Sequence, residues 1–194
     1  QRVFDAFGLR ADNSELEITF SDDPSSQALA SVAYTGADAN GKALNQVLNV
    51  NLAYFDASTL PDGGTYPQYT DRVIAHEMAH AVMGRTMNYA TGLPKWFIEG
   101  SAEALHGADE RLAADTAGGT STAAILTAFN ADDVSGSDGY SGGYAAVRYM
   151  HDKIKAAGGQ GIKDIMSYLN KNAGTTLDQA LTNASNGAFT SESD

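Results

Sequence analysis

The sequence contains no cysteine. Disulfides and thiolate metal ligands are therefore excluded, and any metal ion has to be held by His, Asp, Glu or Tyr side chains. Positive charge is scarce as well: twelve Lys and Arg stand against twenty-four Asp and Glu, a formal charge of −12. A summed field of that sign repels phosphates, which argues against a nucleic-acid partner and against an anionic membrane surface. No apolar run approaches the length of a membrane span, and the chain opens Gln1-Arg2-Val3-Phe4-Asp5 rather than with a charged and then apolar leader. A soluble protein is the expectation. What is present suits one ordinary core, since 194 residues with 43% hydrophobic and 19% charged side chains fall within the range of a single domain.

Three segments, residues 16 to 20, 31 to 35 and 46 to 55, alternate or cluster β-branched, aromatic and aliphatic residues between turn-rich stretches, and they read as strands. The turn Asp38-Ala39-Asn40-Gly41-Lys42 contains Asn-Gly, which tolerates positive φ, so the second and third strands are expected to form an antiparallel hairpin. A calcium loop is the sharper reading of Asp38 and Asn40, but the run of oxygen ligands stops short of one, and the hairpin is preferred. After the Gly- and Pro-rich break at Leu60 to Pro67, a segment free of both residues runs from Asp71 to Gly84 and reads as a helix, with Asp71 serving its N-terminus and Gly84 closing it. A second helix is expected over Lys95 to His106, behind Pro94. Further helices are expected at Thr122 to Phe129, Ser141 to Ala157, Ile162 to Asn172 and Leu177 to Ala184. The tail from Ser185 onward is polar enough to fray. No internal repeat is evident. Strands first and helices after indicate an α+β fold. One domain over 1–194 is expected, with strands and the His-bearing helix in 1–84, a helical part in 85–184 and the tail in 185–194.

His76-Glu77-Met78-Ala79-His80 spells H-E-x-x-H inside the first long helix, the setting this motif requires. Four residues make slightly more than one turn, so the two imidazoles lie on one face and can share one metal ion. Ile74, Met78, Ala81 and Val82 provide an apolar stripe on the opposite face. Glu77 is the one charged residue between Arg72 and Arg85, and a carboxylate in an apolar stretch needs a partner or a task. Two core histidines falling at this spacing by chance is the bland alternative. A catalytic zinc ion takes three protein ligands and keeps one position for water, so one more donor is required. The third histidine of H-E-x-x-H-x-x-G-x-x-H is absent, since those positions hold Met83 and Thr86. Trp96-Phe97-Ile98-Glu99-Gly100-Ser101-Ala102-Glu103 offers Glu99 on the second helix, with Glu103 one turn further along the same face to receive an imidazole N–H. His106 and Asp109 remain rival third ligands at this point.

H-E-x-x-H followed by W-F-x-E-G-x-A-E resembles the gluzincin metallopeptidases, the clan whose third zinc ligand is a glutamate. The resemblance implies a zincin-like fold, a small N-terminal mixed sheet with an active-site helix and a mostly helical remainder. It further implies Zn2+ held by His76, His80 and Glu99, Glu77 as general base, and Glu103 as the carboxylate behind a ligating histidine. A strand at the sheet edge, assigned to Gln46–Phe55, would hold an extended protein or peptide substrate by main-chain pairing. Tyr140-Ser141-Gly142-Gly143-Tyr144 resembles the tyrosine-led helix that gluzincins place across the cleft, where the hydroxyl binds the developing oxyanion. Tyr140 matches the leading position, and Tyr144 lies one turn away on the same face. Together with His106-Gly107-Ala108-Asp109-Glu110-Arg111, these motifs resemble, over roughly residues 70 to 170, the flagellinolysin family. Those are peptidase domains inserted in the variable region of some bacterial flagellins, which implies an extracellular place in a flagellar filament.

The implied activity is hydrolysis of peptide bonds, with Glu77 taking the proton of the attacking water and Tyr140 stabilising the oxyanion. No acidic anchor for a substrate amine is identifiable in the sequence, which favours an endopeptidase. The competing expectation is a non-catalytic domain on a surface filament, in which the metal only stabilises the fold or contacts a partner.

Overall fold

The computed structural model describes residues 1–10, 12–55, 70–119 and 121–194, with Thr70 and Asp71 described by their helical backbone alone. The break at Leu60 to Pro67 and the capping role expected of Asp71 lie outside what is described. The fold is mixed α+β. A short helix, α1 (Arg2–Phe7), precedes strands β1 (Glu17–Ser21), β2 (Ala30–Ala33), β3 (Gly36–Ala37), β4 (Ala43–Leu44) and β5 (Val47–Asn51). Among the described residues a 3-10 turn (Leu52–Tyr54) and seven α-helices follow: α2 (Thr70–Thr86), α3 (Lys95–His106), α4 (Asp109–Ala117), α5 (Thr122–Asn130), α6 (Ser137–Ala156), α7 (Ile162–Lys171) and α8 (Leu177–Ala184). None of the described helices is long and apolar enough to cross a membrane.

β2 and β5 pair antiparallel as expected, with Val32 opposite Leu48. The turn between them folds into a ladder of its own, β3 against β4. The Asp38 carboxylate accepts the backbone N–H groups of Asn40 and Lys42, at 2.8 and 3.0 Å, and Gly41 takes left-handed geometry at φ +76°. β1 adds to β5 in parallel, giving the order β1-β5-β2. The assignment of Gln46–Phe55 as the edge strand is therefore corrected: β5 is central and β2 is an edge. Asn51 shows why. Its side chain accepts the Asp23 N–H and donates to the carbonyls of Asp23 and Ala28, so it fixes the 22–29 connection across the end of the sheet and sends β1 and β2 to opposite sides of β5.

Gly84 does not close its helix, which continues to Thr86. A Cβ there would lie 2.3 Å from Gln46 Nε2 and 3.2 Å from Ala43 Cβ, so the glycine lets α2 press against the sheet. The apolar stripe of α2 is also wider than expected, with Ala79 and Met83 completely buried. α3 matches its expected bounds. Pro94 precedes it, Asp132 accepts the otherwise orphaned N–H of Trp96 at 2.8 Å, and Gly107 ends it in left-handed geometry. α6 begins four residues before the expected Ser141. α1 and α4 were not expected from sequence, and none of the residues of α4 is buried, so it carries no core-facing stripe. The C-terminal tail does not fray: Ser185 Oγ bonds the backbone of Phe189 in both directions, and Phe189 joins the hydrophobic cluster that begins at Val3.

α3 and α6 make the closest helix crossing. A Cβ on Gly100 would fall 2.2 Å from the Gly143 carbonyl oxygen, and one on Gly143 would fall 2.4 Å from the Trp96 carbonyl oxygen. Two glycines thus allow backbone-to-backbone contact. The residues next to them, Glu99 on α3 and Tyr140 one turn before Gly143 on α6, are brought into the same cleft.

Candidate metal centre

α2 presents His76 and His80 with ring centroids 4.7 Å apart. Glu99 of α3 comes between them, its Oε2 lying 3.1 Å from His76 Nε2 and 3.2 Å from His80 Nε2. Zinc bound at about 2.0–2.1 Å in a tetrahedral arrangement holds its ligand atoms roughly 3.3 Å from one another. The donor set therefore fits such an ion: the carboxylate oxygen stands near the tetrahedral-edge spacing from each imidazole nitrogen, and all three donor atoms lie within 4.8 Å of one another. The selection of Glu99 over the rival donors is a tertiary result. Asp109 lies away from the centre, engaged by the hydroxyl of Tyr144 and by Arg148.

His106 approaches His76 and Glu103 instead, and these three form a second group with donor atoms close together. It does not add a metal site. It shares His76 with the first group, and the Arg111 guanidinium, with Nε 2.9 Å from Glu103 Oε2, already supplies the positive charge there. Burial depresses the His106 imidazole; Glu103 pulls the other way, but the cationic His76, Arg111 and Arg72 leave it at about 4.

Glu103 is 1% exposed and binds with both oxygens. Oε1 is 3.2 Å from His76 Nδ1, while Oε2 receives Arg111. Burial works to raise the Glu103 carboxyl, yet the bond from His76 and the charge of Arg111 hold it below its ordinary value. Burial likewise opposes the His76 cation, but bonds to Glu103 and Glu99 push it up to about 9. Glu99 is held well below the usual carboxylate range because the two imidazoles outweigh its burial. Without a metal, the centre is thus a charge-paired network whose Nε2 proton on His76 a cation would displace.

Comparison with protein-family models, with curated proteins and with solved structures finds no match to this chain.

Glu77 is buried beside the pair, and its Oε2 accepts the backbone N–H of Val32 at 2.9 Å. The carboxylate on α2 is thereby aligned with β2, an edge strand among the described residues. Across the cleft, the Tyr140 ring lies 6.2 Å from the His76 ring, with the Arg111 guanidinium 5.2 Å from its centroid. Burial, then the negative charges of Glu99 and Glu103, raise the Tyr140 hydroxyl above its ordinary value, so it stays protonated and able to donate. Tyr144, on the same helical face in sequence terms, points its hydroxyl at Asp109 and Arg148. The helix twist over one turn separates two tyrosines that periodicity could not.

Two residues of the centre had no role in the sequence reading. Arg111 lies in the His106–Arg111 motif, but only the turn at Gly107 and Ala108 brings it back to Glu103. Tyr89 follows α2 by three residues, and its hydroxyl lies 3.2 Å from His80 Nδ1. Nothing in local sequence marks it, because the contact depends on the turn after α2.

Proposed function

We propose that this protein is a zinc-dependent endopeptidase of the gluzincin type, with His76, His80 and Glu99 as metal ligands and Glu77 as general base. The approach of one Glu99 oxygen to both imidazole Nε2 atoms carries the reading. Zinc, when bound, supplies the Lewis acidity that brings deprotonation of water near neutral pH. Glu77 takes that proton and delivers it to the departing amine, work that general acid-base groups perform for a factor of ~10² to 10⁴. Tyr140 donates its hydroxyl proton to a hydrogen bond with the oxyanion that develops on the former carbonyl oxygen. Glu103 keeps His76 oriented through Nδ1, and Arg111 balances the charge of Glu103. The outer edge of β2, Ala30–Ala33, is the surface along which an extended protein or peptide substrate pairs, since Val32 already abuts Glu77.

The resemblance to flagellinolysins extends the proposal to an extracellular peptidase domain carried on a flagellin polymer. The decisive experiment is cleavage of a denatured protein by the wild type and by Glu77→Gln, with zinc content measured for each. The wild type should cut and be stopped by chelator, and the variant should bind zinc with at least ~10²-fold less cleavage. Zinc binding by both with cleavage by neither would replace the enzyme with a metal-stabilised structural or binding domain.

A further inference from the structure

The Nε2 atoms of His76 and His80 face Glu99, so each imidazole must carry its remaining proton on Nδ1 when Nε2 ligates a cation. Both rings are buried, and a buried N–H without an acceptor is costly. His76 meets this need with the Glu103 carboxylate. Among the described residues no carboxylate faces His80 Nδ1. Its partner is the Tyr89 hydroxyl, at 3.2 Å and with the two rings edge to face, centroids 6.5 Å apart.

We infer that Tyr89 is a positioning residue for the metal, its hydroxyl oxygen accepting the Nδ1–H of His80 and so fixing the tautomer and ring angle that aim Nε2 at the ion. This rests on the metal-centre reading above, though not on peptidase activity. The placement of Tyr89 is built rather than incidental. The Ala90 N–H donates to the Gly41 carbonyl at 3.0 Å, and Asn88 donates to the Gly174 carbonyl at 3.1 Å, so the turn after α2 is clamped between the β3–β4 turn and the loop before α8. A Cβ on Gly41 would lie 1.8 Å from Asn88 Oδ1, which keeps these segments in close contact. From the other side, Tyr34 packs its ring edge on to Tyr89, with centroids 6.1 Å apart. Tyr34 directly follows edge strand β2, so the chain Tyr34, Tyr89, His80 ties the strand to the metal ligand.

The chemistry of the two supports differs. A carboxylate behind His76 strengthens that ligand as a donor; a neutral phenol behind His80 orients the ring without adding a further negative charge beside Glu77 and Glu99. Tyr89→Phe isolates the hydroxyl, because the ring and its contact with Tyr34 are kept. Zinc affinity, measured by competition with a chromophoric chelator, should weaken about 10- to 100-fold, while the thermal midpoint of the metal-free protein stays unchanged. Tyr34→Phe should leave zinc affinity as in the wild type. Equal zinc affinity in wild type and Tyr89→Phe would overturn the inference, as would an equal loss of stability in the metal-free and zinc-loaded forms, which is the signature of a packing role. A measurement on the wild type does not depend on any variant folding: nitrogen-15 NMR of the zinc-loaded protein should show His80 protonated at Nδ1 with that proton protected from exchange. A proton at Nδ1 that exchanges freely would refute the hydrogen bond. Wild type that binds zinc but cuts nothing would sink the peptidase proposal and leave this one standing.

Discussion

Gly100→Ala tests whether the α3–α6 crossing builds the centre. Helix propensity alone predicts that replacing a mid-helix glycine with alanine stabilises by about 1 kcal/mol. The structure predicts the opposite sign. The new Cβ would lie 2.2 Å from the carbonyl oxygen of Gly143, 2.3 Å from its carbonyl carbon and 2.9 Å from its Cα, all backbone atoms that cannot swing aside. Restoring ordinary contact of ~3.5 Å requires the helices to part by roughly 1 Å. Overpacking against backbone that cannot move aside falls at the upper end of the usual range, about 2–3 kcal/mol, which after the propensity gain leaves a net loss of ~1–2 kcal/mol. In a chain of this size that corresponds to a thermal midpoint lower by roughly 2–8 °C. Glu99 immediately precedes the substituted residue and Tyr140 is one turn from Gly143, so separation should also widen the cleft and reduce turnover. Thermal unfolding by circular dichroism, with cleavage assayed in parallel, reads both effects. Gly36→Ala, where a Cβ has no neighbour within 4 Å, serves as the control that should lose nothing. A Gly100→Ala protein as stable as the wild type, or more so, would refute the reasoning.

Glu103→Gln should weaken zinc binding by roughly 10- to 100-fold, because His76 loses its charged orienting partner and Arg111 loses its counter-ion; competition with a chelator measures it. Tyr140→Phe should lower kcat by about 10²-fold with zinc content unchanged. Tyr144→Phe should instead cost about 1 kcal/mol of stability, from loss of its bonds to Asp109 and Arg148, and leave cleavage intact. Zinc binding at about pH 7.5 should release about one proton, since ligation displaces the Nε2 proton of a metal-free His76 that titrates at about 9. Because that folded-state value is raised, the His76 pairing stabilises the metal-free protein fully below about pH 6.5 and is lost as pH rises through about 9. Calorimetry of zinc binding in buffers of different ionisation enthalpy gives the proton count, which should fall toward zero above that pH.

The sequence by itself determined what depends on local geometry. A spacing of four residues on a helix places His76 with His80, and Glu99 with Glu103, whatever the remainder of the chain does. Asn40-Gly41 marked a tight turn for the same reason, as did Pro94 at the start of α3. Strand order was not legible, because β5 reads as an alternating apolar strand whether central or edge, and its position follows from Asn51 holding a connection more than twenty residues away. The same limit hid the supports of the centre. Arg111 and Tyr89 reach their partners through the turn after α3 and the clamped turn after α2, and Tyr140 is separated from Tyr144 by which neighbours each hydroxyl meets. Even the tail, polar in composition, was decided by one buried aromatic, Phe189, finding the core. Periodicity fixes which residues share a face. Which face meets which is set by packing between distant segments, and that packing brings Glu99 to the two histidines.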